Sequence, residues 1–154
     1  MVANPLERRR ELAWGFLAAG GTLLLVVAWA HLLLIWVPTS FGVPQWEYAT
    51  STQSVDIFPL GVMGITLLSA AAVVRVWMRS VTFLGIWSAL SALLLIAIAV
   101  LIALNVPVAW RSVPAEIRTG VMKTGLKAFG FALLFAAYHV WLAVRLLRSR
   151  RIPR

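Results

Sequence analysis

The chain contains no cysteine. That one absence excludes a structural disulfide, a thiolate-held metal, an iron–sulfur cluster, a covalently attached haem and a cysteine nucleophile. Charge is also scarce. Only 12% of the 154 residues are charged and only 5 are acidic, whereas about a quarter charged is usual for a soluble domain. The motifs that would name a reaction are missing as well: there is no Gly-rich phosphate loop, His-Glu metal motif, serine elbow or kinase signature. Ser51, Thr52, Ser54 and Asp56 cluster in one connection, but no matching histidine base accompanies them, so catalysis by this chain is not expected.

What the chain has in abundance is apolar sequence, with 62% hydrophobic residues. These fall into four long runs, from about Leu12 to Val37, Ile57 to Met78, Thr82 to Val106 and Gly125 to Leu147, each long enough to cross a hydrocarbon core of roughly 30 Å. The expected fold class is all-α, a single integral membrane domain forming an antiparallel four-helix bundle. The first run follows Arg8, Arg9 and Arg10, as a secretory signal would. It exceeds the usual apolar length of a signal and ends in bulky residues, so it reads as a retained span. Pro38 is expected to stop it. Only Arg79, Ser80 and Val81 separate the second and third runs, which predicts a tight hairpin. The stretches from Pro38 to Asp56 and from Pro107 to about Thr124 read as connections, the latter as an interfacial segment.

The net charge of +9 would suggest nucleic acid in a soluble protein, but next to membrane spans it fits topology and anionic lipid better. Of the 14 Lys and Arg residues, only Arg111, Arg118, Lys123 and Lys127 fall on the side of the two longer connections. The positive-inside rule therefore puts both termini in the cytoplasm of a bacterial-type inner membrane. Tryptophan agrees: Trp14, Trp77, Trp87 and Trp141 are expected near the cytoplasmic ends, and Trp36 and Trp110 near the opposite ends. The basic ends, Arg8, Arg9, Arg10, Arg148, Arg150 and Arg151, are expected to meet anionic lipid or an acidic partner surface, not nucleic acid. Arg75 and Arg145 read as snorkelling anchors.

Ionisable groups inside spans are the usual mark of function in a membrane protein. By hydropathy no carboxylate is central: Glu7, Glu11 and Asp56 read as helix-start and interface residues. His31 and His139 are the candidate cofactor ligands. Their expected depths differ by roughly 15 to 18 Å, too far for one shared haem iron, so each would serve as a single axial ligand to a haem or chlorophyll-type pigment. The competing reading makes both hydrogen-bonded side chains near Trp29, Tyr138 and Trp141. Lys127 with Lys123 and Arg118 offers a site for an anionic headgroup, a quinone-like carbonyl or an acidic partner, against a solvated rim. Asn105 is expected to satisfy carbonyls freed at the end of the third helix.

Small residues at four-residue spacing, namely Gly15 with Ala19, Gly85 with Ala89, Ser88 with Ala92, and Ala128, Ala132 and Ala136, predict close-packing or partner faces. Together these features predict a non-catalytic accessory subunit packed among other integral membrane subunits, with an electron-transport assembly as the preferred setting. The alternatives are a homo-oligomeric transporter or channel lined by Asn105, Ser88, Ser91 or Thr66, and a pigment-holding subunit.

Overall fold

A computed structural model describes residues 5–149. They form four helices, α1 (Pro5–Ile35), α2 (Pro44–Val74), α3 (Met78–Ser112) and α4 (Ala115–Ser149), with no strand among the described residues. All four are long and apolar enough to cross a membrane. The chain is an all-α, multi-pass membrane protein. The α2–α3 turn shares one end of the bundle with the start of α1 and the end of α4, the terminal end. The α1–α2 and α3–α4 connections share the other, the loop end.

The helices overrun the apolar sequence that marks them. At about 1.5 Å per residue, the 35 residues of α3 extend well past a hydrocarbon layer of roughly 30 Å. The expected connection from Pro38 to Asp56 shrinks to the residues before Pro44. Proline is suited to the first helical position, where its missing N–H has no intrahelical role. The Ser/Thr-rich stretch stays helical because its hydroxyls fold back on their own turn. Thr52 Oγ1 donates to the carbonyls of Tyr48 and Ala49, both at 3.0 Å, and Ser54 Oγ to that of Thr50 at 2.7 Å. The expected interfacial segment after Pro107 is likewise helix. Pro107 lies inside α3 with its ring exposed, and only Val113 and Pro114 separate α3 from α4.

The hairpin turn sits earlier than hydropathy suggests, at Arg75 to Trp77, and Arg79 to Val81 already belong to α3. It closes as a Schellman motif: the Trp77 N–H reaches the Ala72 carbonyl at 2.9 Å and the Val76 N–H that of Val73 at 3.1 Å. The left-handed position usually given to glycine is held by Val76, at φ 57°.

α2 is the central helix, packing against the other three, whereas α1 approaches only α2 at backbone level. At the α1–α2 crossing a Cβ on Gly21 would lie 2.8 Å from the Gly64 carbonyl, and a Cβ on Gly64 would lie 2.8 Å from that of Gly21. Backbone meets backbone there. Between α3 and α4, Gly85 lies against Leu146 and Leu147, and Gly125 against Val106 and the Tyr48 ring. Ala128, Ala132 and Ala136 join Leu95, Ile98 and Ile102 in the core of the loop-end half, while Ile65, Val81, Leu84 and Leu142 build the terminal half.

Candidate functional site

Contacts between helices fix their relative depth. α1 and α2 are antiparallel, with Gly21 beside Gly64, Ala28 beside Gly61, and Trp36 Nε1 donating to Ser54 Oγ at 2.9 Å. This register sets His31 level with Asp56. α3 is placed by Asn105 Nδ2, which donates to Glu47 Oε2 at 2.8 Å, so Ile96 is level with Asp56. α4 runs parallel to α2. The Tyr48 hydroxyl donates to the Val121 carbonyl at 2.7 Å, and the Tyr138 and Thr66 hydroxyls are 2.6 Å apart, which brings Phe131 near the same depth.

Asp56 is therefore not at the start of its helix, which begins at Pro44. It is about 15 Å along α2 from Trp46 and about 28 Å from Arg75. Its side chain is exposed, and at its depth the other helices expose Leu33, Leu34, Leu93, Ile96, Phe131 and Leu134. The carboxylate thus stands among exposed apolar side chains at its own level. At about 100° per residue, Asp56 projects opposite the buried α2 face of Ser54, Phe58 and Ile65. No hydrogen bond or ion pair from the described chain reaches its carboxylate.

Two further ionisable side chains flank it on the same exterior face. On α1, Trp29 turns toward α3, its ring 5.0 Å from that of Trp87. His31, two positions on, therefore projects from the opposite flank, beside the outward face of α2, and is exposed. On α4, Lys127, Phe131 and Tyr138 follow one stripe at helical spacing. The Tyr138–Thr66 contact shows that this stripe borders α2. Lys127 is exposed, its Nζ 5.9 Å from the Phe131 ring centroid, about one turn nearer the loop end than Asp56. Gln53 extends the polar character of α2 one turn above Asp56. The site is thus a band of His31, Asp56, Gln53 and Lys127 across three helices, facing outward at a depth otherwise apolar. Sequence reasoning had both histidines and Lys127 as candidates but took Asp56 for a cap. One signal was present: Gln45, Thr52 and Asp56, at i, i+7 and i+11, form one polar helical stripe.

A second polar cluster holds the loop end together. Glu47 Oε1 accepts the Gly42 N–H at 2.8 Å, where Gly42 turns the chain into α2 at φ 88°, while Oε2 accepts from Asn105. Asn105 does not serve the carbonyl that Pro107 leaves free, that of Ala103. Its amide also donates to the Leu101 carbonyl at 3.0 Å. Trp46 meets both Trp36 and Phe41 edge to face, Trp36 and Phe41 are tilted at 36°, and all three centroids lie 5.5–5.7 Å apart, while the Arg118 guanidinium covers Trp110 at 5.0 Å. These contacts brace structure.

The remaining expected residues scatter. His139 is 3% exposed, between the two core clusters, and its Nδ1 has no hydrogen-bond partner. The ring is enclosed by its own bundle, so an axial-ligand role would require the helices around it to part. His31 lies about 14 Å from it in depth by the register above. Trp87 is tucked against Trp29, and its Nε1 is buried without a partner. Ser88, Ser91 and Asn105 are buried inside one bundle, and Thr66 is exposed, its hydroxyl 2.6 Å from that of Tyr138. Nothing lies within 4 Å of a Cβ on Gly15, and Ala19 is exposed. Gly85, Ala128, Ala132 and Ala136 face their own chain, and Ala89 is half-buried. Arg8, Arg9, Arg10 and Arg148 are exposed at the terminal end, whereas Arg150, Arg151 and Arg154 lie outside the described residues.

The fold and this band define the class, a four-helix membrane protein with an ionisable band on its exterior. No family model, curated protein or solved structure matches the chain.

Proposed function

We propose that this protein is a non-catalytic integral membrane subunit that assembles with other membrane polypeptides through the exterior face of α1, α2 and α4. The observation that carries the reading is the exposure of the Asp56 carboxylate at a level where the other helices expose large apolar side chains. Lipid tails cannot satisfy it, and ionisable groups at that depth are retained where protein or enclosed water meets them. The open α1 face at Gly15 and Ala19, of the kind that admits another helix closely, supports the same reading. The arginines at the terminal end favour an inner membrane with both termini cytoplasmic. The buried state of His139 lends no support to a pigment-holding role.

Intact-mass measurement of the protein released from its own membranes in mild detergent tests this. The expected result is a particle heavier than one chain, with fixed stoichiometry. A monomer that is active alone in ion or solute flux in vesicles would refute it.

A further inference from the structure

We propose that the partner at the α1–α2 exterior groove is a second copy of this chain, and that each copy completes the other's site by setting His31 against the partner copy's Asp56. The inference rests on the subunit reading and names what occupies the face.

The argument is one of charge and depth. Asp56 calls for a donor at its own level, and the basic side chains at helix ends lie too far along the bundle to supply one. His31 is at that level by the Gly21–Gly64 and Trp36–Ser54 contacts. Both groups are exposed, and both project from the flank of the α1–α2 pair that turns away from α3. Within one chain no hydrogen bond or ion pair joins them. A two-fold axis normal to the membrane preserves depth, so a surface carrying an acid and an imidazole at one level is complementary to itself. With the axis along the α1–α2 groove, α1 of one copy packs beside α2 of the other, and two His31–Asp56 contacts form at once. Lys127 lies across α2 from this groove and nearer the loop end. A dimer centred there would pair Asp56 with a cation at another depth.

Cysteine cross-linking decides the matter cleanly in a chain with no native cysteine. Val27 and Leu60 lie one turn toward the terminal end from His31 and Asp56 and are 46% and 38% exposed. Full-length Val27→Cys and Leu60→Cys chains, differently tagged and co-expressed, are oxidised in native membranes. A disulfide-linked dimer carrying both tags is expected. Val27→Cys with Leu93→Cys, on the far side of the bundle and 62% exposed, is expected to give none. Adding Asp56→Asn to both chains should lower the cross-linked yield about tenfold, a loss of about 1.4 kcal/mol over the two contacts together. The exchange His31→Asp with Asp56→His should restore it. Equal yields from the groove and control pairs, or unchanged yield in Asp56→Asn, would overturn self-pairing. Cross-linking of Leu60→Cys to a different polypeptide, with no self-dimer, would overturn it too while leaving the subunit reading standing. If neither probe is trapped and both react freely with a lipid-soluble thiol reagent, the face is bare and both readings fall.

Discussion

Gly21 and Gly64 meet across α1 and α2 with each carbonyl in the space where the other's side chain would begin. The contact is reciprocal and involves backbone, so no rotamer change relieves a substitution. It is the closest approach that holds α1, a helix whose only backbone-level neighbour is α2.

Gly64→Leu is therefore expected to push α1 away and lower stability by about 1–3 kcal/mol, the usual cost of overpacking. Gly15→Leu and Gly20→Leu, which meet open space, are expected to stay within about 0.5 kcal/mol of the parent. Thermal unfolding in one detergent, comparing the three variants, checks the difference. Equal losses at all three positions would contradict the crossing.

His139 makes the opposite prediction. Its ring is buried with Nδ1 unpartnered, so an apolar side chain of similar size removes a desolvated polar group without opening a cavity. His139→Leu should gain about 1 kcal/mol. Any visible absorption of protein from native membranes should be unchanged. A band lost with this substitution would show that the ring does hold a pigment.

At the α2–α3 turn, Val76 occupies the left-handed region that L-residues enter at a cost of about 1–2 kcal/mol. Val76→Gly removes that strain and should raise the unfolding midpoint, with a gain of about 1 kcal/mol after the larger backbone entropy of glycine is subtracted. A lower midpoint would show that the valine side chain outweighs the strain.

The number and class of helices are legible in the apolar runs, because a span needs about 20 apolar residues and nothing else in this chain resembles one. Their ends are not. Pro44 begins α2 far ahead of its apolar run, and Thr52 and Ser54 look like loop residues until their hydroxyls are seen to bond their own turn. Asp56 was lost for the same reason. It stands at the edge of a polar stretch along the chain, and only the register against α1 and α3 reveals its depth. The small-residue spacing was informative about closeness but not about the neighbour: Gly85 and Ala132 face their own bundle, while the tightest crossing uses Gly21 and Gly64, which lie outside the spacings that sequence reasoning selected.

The three most closely packed helix pairs, α1–α2, α2–α3 and α3–α4, are all neighbours in sequence. During synthesis each helix thus finds its principal companion in the next one to leave the ribosome, and no span waits for a distant segment. Contacts of such short loop separation are the quickest to form. The α2–α4 contact, fastened by Tyr48 and Tyr138, is the one pairing of helices not adjacent in sequence, which makes it the latch that closes the bundle once α4 has docked on α3.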